Sequence, residues 1–298
     1  MNVIVTGAAG LVGQFVVAKL VELGSPKVIA QSRSFSGLRS RSTEINLVEL
    51  DLLGGNAVQE LVSFAPDVIV HCAAQIPMGT ISFQDSAQIN QKIDENILNV
   101  AQRCGSKVVF ISSAGVYEDA ALPWRESQPV FPRTAYAREK LSSEELLSGL
   151  AVPGVSLRIT SPYGGLQNSS RNVLYKFLYG AISNQPLSVY GSGARCQNFV
   201  FAGDIADAVA LVIVELESSI DISGVFNIAG DNSTSMKDLA TVIVELVGKG
   251  EIVYSGKVDT DEHFKSEIDI TKAQEILGWV PKTKLKNGIQ SLVNLIEG

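Results

Sequence analysis

Short apolar runs alternate with longer segments of helical periodicity in the first half of the chain. The apolar runs, which predict buried strands, are Val3–Val5, Val28–Ala30, Asp67–Val70, Val108–Ile111 and Val155–Ile159. The segments with helical patterns are residues 11–23, 55–64, 86–104 and 134–150. Strands that alternate with helices in this way are typical of a parallel sheet covered by helices. We therefore predict an α/β fold with a doubly wound parallel sheet.

The alternation loosens after Pro162, where glycine-rich turns appear. Helical patterns return at 204–217, 235–247 and 269–277, and Ser235 with Asp238 forms a capping-box pattern at the start of the second. We expect residues 1–160 to form the main domain, which also receives elements from 198–230. Residues 161–298 are expected to form a smaller lobe over the carboxyl ends of the strands, where such folds bind ligands.

Composition excludes several classes of function. The chain has 298 residues, 46% of them hydrophobic, and a net charge of −7, which argues against a nucleic-acid partner. No apolar run is long enough to span a membrane, and the immediate start of a strand argues against a secretory leader. Cys72, Cys104 and Cys196 form no paired motif, which favours a reducing cytoplasm. With only His71 and His263 besides, we expect no metal site.

A glycine-rich turn, Thr6–Gly13, follows the first predicted strand and leads into a helix. Glycines allow a sharp turn and the close approach of a pyrophosphate, whose charge is favoured at a helix N-terminus. A turn needed only for packing is the alternative, but the order of strand, turn and helix favours a dinucleotide site. The residues predicted to form it are Gly7, Ala9, Gly10, Leu11, Val12 and Gly13.

The second strand ends at Ser32 and Arg33, where NAD-preferring sites carry an acid for the ribose hydroxyls. A guanidinium would instead bind a ribose 2′-phosphate through charge-assisted hydrogen bonds. We therefore expect NADP, with NAD as the other possibility. Arg39 and Arg41 follow in the same loop, where a solvated basic loop is the alternative interpretation.

Tyr136 and Lys140 lie four residues apart on a predicted helix, so their side chains share one face and are expected to project together toward a cleft. A free tyrosine has a pKa of about 10, and a nearby ammonium lowers it by favouring the phenolate. Ser113, at the carboxyl end of a predicted strand, could bind a substrate oxygen beside this phenol. These groups suit hydride exchange with a nicotinamide, with Tyr136 handling the proton. An ordinary amphipathic helix is the alternative for the tyrosine–lysine pair alone.

Together these motifs resemble the extended short-chain dehydrogenase/reductase family, in its nucleotide-sugar epimerase/dehydratase/reductase branch. The resemblance covers nearly the whole chain. The segments that carry it are Thr6–Gly13, Asp51–Leu53, His71–Ala74, Ile111–Tyr117, Tyr136–Lys140, Leu157–Arg158, Tyr163–Gly164, Pro186–Gly191, Phe199–Asp204, Gly224–Asn227 and Leu277–Pro281.

The resemblance implies a Rossmann-type fold and roles for further residues. Asp51 and Leu52 would flank an adenine, and Asn90 would help to organise a proton relay, with a helix-surface amide as the alternative. It also implies a homodimer formed through helices 86–104 and 134–150. Other residues implied to bind the cofactor are Cys72, Ala73, Ala74 and Ile111, and those implied to contact substrate are Gln75, Ser113, Ser161 and Arg195.

The chain departs from the family pattern at several positions. Dehydratases carry an Asp-Glu pair just after the catalytic hydroxyl residue, whereas this chain has Ala114 and Gly115, which argues against dehydration. Gln197 replaces an arginine that typically contacts the nucleotide diphosphate, and Arg195 lies two residues earlier. Ser161 stands where asparagine is common, which widens the range of possible substrates.

Three functions are compatible with these patterns. The first is an NADP-dependent ketoreductase of a keto-deoxy sugar nucleotide, which agrees with Arg33. The second is a nucleotide-sugar epimerase, which uses the same side chains without net redox change. The third is a non-catalytic redox sensor, disfavoured because Ser113, Tyr136 and Lys140 are all present.

Overall fold

The computed structural model describes residues 1–24, 27–35, 45–77, 79–166, 172–218 and 222–298. The predicted contributions of Arg39 and Arg41 lie outside the described residues. The strands are β1 (Asn2–Thr6), β2 (Lys27–Ser32), β3 (Ile45–Glu49), β4 (Val68–His71), β5 (Lys107–Ser113), β6 (Gly154–Ile159), β7 (Ser161–Tyr163), β8 (Leu187–Val189), β9 (Cys196–Phe201), β10 (Gly224–Ile228), β11 (Ser233–Ser235) and β12 (Ile252–Tyr254). The helices are α1 (Leu11–Glu22), α2 (Ala57–Ser63), α3 (Phe83–Cys104), α4 (Ala135–Ser148), α5 (Val173–Ile182), α6 (Ala202–Glu217), α7 (Met236–Val247), α8 (Thr271–Leu277) and α9 (Leu285–Glu297).

Seven parallel strands form the main sheet, in the order β10-β6-β5-β4-β1-β2-β3. Side chains of successive strand residues enter opposite faces, so Val3 and Val5 join one apolar cluster while Ile4 joins the other. Helices α1 and α6 cover the first face, and α2, α3 and α4 cover the second. The strand order reverses between β1 and β4, which opens a crevice at their carboxyl ends. The predicted α/β, doubly wound fold is confirmed.

The later part of the chain builds a second apolar core from α5, α7 and α9 with short strands. One small sheet has the order β11-β9-β7, and β12 pairs with β8. The predicted cap of α7 is present, since the Ser235 hydroxyl accepts the Asp238 N–H at 3.0 Å. In the described ranges, no helix has the length and apolar character needed to cross a membrane.

A buried ion pair attaches α4 to the main sheet. Arg158 of β6 donates three hydrogen bonds to Glu144 of α4, two from Nε at 3.0 and 3.2 Å and one from a terminal nitrogen at 2.6 Å. The Ser112 hydroxyl of β5 donates to the same carboxylate. These bonds fix the helix that carries Tyr136 relative to the strand that ends at Ser113.

Glycine at position 7 allows β1 and β4 to exit the sheet side by side. Gly7 has φ of +63°, and a Cβ there would lie 2.7 Å from the backbone nitrogen and Cα of Ala73. Gly24 has a similar φ of +69°, but a Cβ at that position would have no atom of the described residues within 4 Å. Comparing alanine substitutions at the two positions therefore distinguishes the cost of a strained backbone, which both share, from the cost of a steric clash, which only Gly7 has.

Replacing Glu144→Ala is expected to lower the free energy of unfolding by about 3–5 kcal/mol, because Arg158 would remain buried without its partner. The matched control is Glu145→Ala on the same helix, whose exposed side chain should change stability by less than about 0.5 kcal/mol. Urea unfolding measures both. Equal losses in the two variants would contradict the anchoring role of the pair.

Gly7→Ala is expected to destabilise the protein by about 1–3 kcal/mol more than Gly24→Ala. Both variants impose a strained left-handed backbone, but only the first forces Cβ into the Ala73 backbone. Parallel urea titrations measure the difference. Indistinguishable midpoints would show that the strands can separate without cost.

Candidate active site

A cavity of about 390 Å³ lies at the carboxyl edge of the sheet. It is bounded by the first turn of α1, the end of β5, the start of α4 and residues from later in the chain, among them Ser161 and Gln197. The residues proposed from sequence that line it are Gly10, Leu11, Val12, Gly13, Cys72, Ala74, Ile111, Ser113, Tyr136 and Ser161. The folded chain thus brings together groups from the glycine turn, the tyrosine helix and the later part of the chain.

The N-terminus of α1 opens toward this cavity. Gly10 is its N-cap residue, is exposed, and supplies no side chain to cap the first-turn N–H groups. A Cβ on Gly13 would lie 2.2 Å from the Gly7 carbonyl oxygen, so only glycine keeps the turn this tight. Uncapped N–H groups at a glycine-lined helix start fit a pyrophosphate. The residues present therefore fit a dinucleotide cofactor.

The residues predicted at the adenosine end lie around the tips of β2 and β3. Arg33 is exposed and Ser32 is half-buried, whereas the Leu52 side chain is buried in the core beneath them. Asp51 is exposed and its carboxylate accepts the Leu53 N–H at 3.1 Å. Sequence reasoning missed a carboxylate here: Glu49 pairs in register with Ser32.

The segment after β4 is held by side chains from neighbouring elements. The Thr6 hydroxyl accepts the Ala73 N–H at 3.2 Å. Asn90 is fully buried, so its interpretation as a helix-surface amide is wrong. Its side-chain oxygen accepts the Gln75 N–H at 2.7 Å, and its nitrogen donates to the Gln75 carbonyl at 3.0 Å. Asn90 therefore fixes the loop that leads from β4 to the cavity.

Tyr136 lies in the first turn of α4, which Thr134 caps by accepting the Ala137 N–H at 3.1 Å. Ser113 ends β5, and its hydroxyl accepts the Gly115 N–H at 3.1 Å. Both Tyr136 and Ser113 line the cavity. Two hydroxyl groups there could bind and deprotonate an alcohol of a bound ligand.

Lys140 lies behind Tyr136 instead of reaching the cavity. Its ammonium is 6.0 Å from the centre of the Tyr136 ring and 4.5 Å from that of Phe110. The side chain is 1% exposed, and Lys140 is not among the residues that line the cavity. The expectation that both side chains project into one cleft is therefore corrected: the phenol lines the cavity and the cation supports it from inside.

The Lys140 ammonium is paired with Asp94 of α3, at 3.3 Å. Asp94 also lies 2.9 Å from Nε2 of His71, whose Nδ1 lies 2.6 Å from the Thr6 hydroxyl. Burial alone would raise the pKa of Asp94, but Lys140 and His71 outweigh it and hold the pKa well below its usual range. Burial likewise opposes the charge of Lys140, yet Asp94 and Glu139 raise its pKa above the ordinary value. Lys140 is therefore a lasting cation at neutral pH.

Sequence reasoning missed Asp94 and Glu139. Asp94 is on the same helix face as Asn90, one turn later, and this spacing was the available signal. Glu139 is adjacent to Lys140 in sequence, and its carboxylate oxygen lies 3.9 Å from the ammonium. We call His71, Asp94, Glu139 and Lys140 the buried charge cluster.

The predicted substrate residues fall into two groups. Ser161 lines the main cavity, where its hydroxyl accepts a hydrogen bond from the Gln197 amide. Arg195 instead lines a second cavity of about 280 Å³ and lies 3.3 Å from Asp259. Asn172 lines both cavities, so they are neighbours. Gln75 is tied to Asn90 and is not among the residues that line the main cavity.

Among the described residues no group of histidine, cysteine and carboxylate side chains is arranged to hold a metal ion. Burial raises the pKa of the Cys72 thiol to about 12, which keeps that sulfur protonated at neutral pH. The chemistry of the cavity therefore depends on hydroxyl groups, backbone amides and the cation behind Tyr136.

Several known proteins match this chain over nearly its full length. A UDP-glucose 4-epimerase of Thermotoga maritima, solved with UDP-glucose, is 27% identical with a TM-score of 0.89, and the match covers 100% of this chain and 99% of that one. A UDP-glucose 4-epimerase of Thermus thermophilus, solved with NAD, is 25% identical with a TM-score of 0.86 over 100% and 99% of the two chains. UDP-glucuronic acid decarboxylase 4 of Arabidopsis thaliana is 28% identical over 98% of this chain and 68% of its own length.

The model of the NAD dependent epimerase/dehydratase family matches residues 3–229, which is most of the chain. The resemblance to extended short-chain dehydrogenases/reductases is thereby confirmed. The chain belongs to the NAD dependent epimerase/dehydratase family and is an enzyme of that family.

Proposed function

We propose that this protein is a nucleotide-sugar epimerase that inverts one carbinol carbon of a UDP-sugar. The observation that carries the proposal is a single cavity in which Ser113 and Tyr136 face the same space as the uncapped start of α1. Its likeness over the full chain to UDP-glucose 4-epimerases supports it. We therefore propose epimerisation ahead of the ketoreductase, which the sequence placed first because Arg33 favours NADP.

Each side chain has a defined part in such a reaction. Tyr136 would take the proton of the sugar hydroxyl and later return it, while the Ser113 hydroxyl donates a hydrogen bond to the same oxygen. The Lys140 ammonium stabilises the phenolate from behind the ring. A nicotinamide bound in the glycine-lined turn would supply the hydride acceptor and donor that inversion of the sugar carbon requires.

The cavity wall beside Ser113 disfavours loss of water from the sugar. Ala114 and Gly115 line the cavity there and have no group that can transfer a proton. Glu118 is the single carboxylate among the described lining residues, and it already accepts the Arg133 N–H at 2.5 Å. We therefore propose that the enzyme is not a dehydratase.

The second cavity is our proposed site for the nucleotide. Its lining includes the cations of Lys176 and Arg195 and the ring of Tyr190. Lys176 lies 5.9 Å from the centre of that ring. Cations suit the diphosphate and an aromatic face suits a base, and Asn172 would lie where nucleotide and sugar join.

Helices α3 and α4 remain our proposed homodimer surface.

We further propose NADP as the preferred cofactor. Arg33 is exposed directly after β2, and Ser32 carries no charge to repel a 2′-phosphate. The Glu49 carboxylate, in register with Ser32, is the nearby acid that could instead favour NAD, and it accepts the Phe35 N–H at 3.2 Å. The Thermus relative binds NAD, which makes NAD the competing cofactor.

The deciding experiment incubates the purified protein with a panel of UDP-sugars and follows each sugar by NMR without added reductant. An epimerase should form the second epimer and leave the nicotinamide in its starting redox state. In a parallel incubation supplied with NADPH, reduction of a UDP-keto-sugar that consumes NADPH in proportion to product would support the ketoreductase instead. Absence of both reactions across the panel would reject the proposal.

Tyr136→Phe is expected to lower turnover roughly 100- to 10,000-fold, because the variant lacks the proton-transferring hydroxyl. Tyr254→Phe, which removes the hydroxyl of an exposed tyrosine, is the control and should keep full activity. The rates are measured on the UDP-sugar identified above. Equal activity of both variants would assign proton transfer to another group.

Arg33→Ala is expected to weaken NADP binding roughly tenfold or more and to leave NAD binding nearly unchanged, since a charged hydrogen bond contributes about 1.5–3 kcal/mol. Arg103→Ala removes an exposed cation from the end of α3 and controls for net charge. Titration of nicotinamide fluorescence measures both affinities. An unchanged ratio of NADP to NAD affinity would remove Arg33 from the cofactor site.

A further inference from the structure

A carboxyl group with no assigned part in the chemistry lies inside the fold next to the reacting pair. Glu139 is buried, and its Oε1 accepts the Ser143 hydroxyl at 3.0 Å. Its other oxygen, Oε2, is buried and accepts no hydrogen bond from any donor within the described ranges. The ammonium of Lys140 lies 3.9 Å away, beyond hydrogen-bond distance.

The charges around Glu139 make its ionised form unfavourable. The groups acting on it are the Lys140 cation of its own helix and the Asp94 carboxylate of α3. Lys140 is flanked in turn by Tyr136, and Asp94 by His71 of β4. Burial raises the pKa of Glu139 to about 8; Lys140 opposes the shift and Asp94 adds to it. At neutral pH the group is mostly a neutral acid, whose proton can face the Asp94 carboxylate.

The protonation state of Glu139 bears on how strongly the Lys140 ammonium stabilises a phenolate at Tyr136. With Glu139 neutral, Lys140 and Asp94 form one ion pair, and the Lys140 ammonium lies 6.0 Å from the centre of the Tyr136 ring with no second carboxylate charge beside it. With Glu139 ionised, two carboxylates, those of Asp94 and Glu139, would lie beside the single Lys140 ammonium. In a poorly solvated interior the added negative charge would oppose formation of the phenolate.

We propose that Glu139 is a positioning residue that acts through Lys140: as a neutral acid it keeps the Tyr136 hydroxyl easy to deprotonate, and its ionisation switches this support off. The inference rests on the proposed use of Tyr136 as the proton-transferring group. It adds an alkaline limit to activity that arises inside the fold and not at the cavity surface.

The first test compares the pH profile of kcat/KM for wild type, Glu139→Gln and Glu145→Gln. The Gln variant resembles the neutral acid, so it should match wild type near pH 6.5 and exceed it about tenfold at pH 9, where about one tenth of Glu139 is protonated. Glu145→Gln removes an exposed charge from the same helix and should follow the wild-type profile. An alkaline decline that persists unchanged in Glu139→Gln overturns the proposal.

The second test needs no substrate, so it separates this proposal from the assignment of function. Ultraviolet difference titration against matched Tyr136→Phe proteins isolates the phenolate of Tyr136. In the Glu139→Gln background this phenolate should form at a pH lower by about one unit. If the Tyr136 phenol titrates at the same pH with and without Glu139→Gln, the proposal is overturned, even if the enzyme turns over no UDP-sugar.

Unfolding measurements verify the charge state itself. Because the pKa of Glu139 is higher in the folded than in the unfolded chain, its stabilising contribution is complete below about pH 4.5 and is lost as the pH rises to about 8. The stability of Glu139→Gln relative to wild type should therefore increase across this range and level off above it. A difference that does not vary with pH would mean that Glu139 is already ionised, which overturns the proposal.

Discussion

The structure around the active site depends on the pairing of one buried ammonium with one buried carboxylate. An unpaired charge at either Lys140 or Asp94 would cost several kcal/mol in an interior that excludes water. The pair therefore fixes α4 against α3, and the bond from Asp94 to His71 ties both helices to β4. Tyr136 is one turn before Lys140 on the same face, so the constraint that satisfies the cation also orients the phenol.

A second constraint brings the cofactor turn to the same place. Gly7 lets the loop after β1 pass directly over the backbone at Ala73, and Gln31 of β2 accepts the Gly7 N–H at 3.2 Å. The start of α1 is thereby held above the carboxyl ends of β1 and β4. The ion pair between Glu144 and Arg158 holds α4 against β6 on the other side of the crevice. Two attachments to the sheet therefore set the width of the cavity between them.

Sequence predicted those features whose signals are local. The central strands are continuous apolar runs, and Ser113, Tyr136 and the glycine turn lie at recognisable element ends. Strand β3 was missed because polar residues interrupt its apolar ones and only Val48 of its five residues is buried. The carboxylate of Glu49 was missed with it. Asp94 was missed because its partner Lys140 is 46 residues away, and only the packing of α3 on α4 joins them. The relatives favour the second functional hypothesis over the first. The sequence could not decide between them because reductases and epimerases use the same side chains, and Arg33 bears on the cofactor, not on the reaction.

The surroundings of the buried charge cluster give a physical reason to favour epimerisation. A reductase takes up one proton from solvent in each turnover, whereas an epimerase returns to the sugar the proton that it removed. A relay to solvent behind Tyr136 would use Asn90 and Lys140. Both polar atoms of the Asn90 amide bind the backbone of Gln75, and the Lys140 ammonium binds Asp94. The Asn90 amide is therefore already engaged, and Lys140 lies away from the cavity with one of its donors bound to Asp94. This arrangement suits a reaction whose proton only moves back and forth between Tyr136 and its ligand.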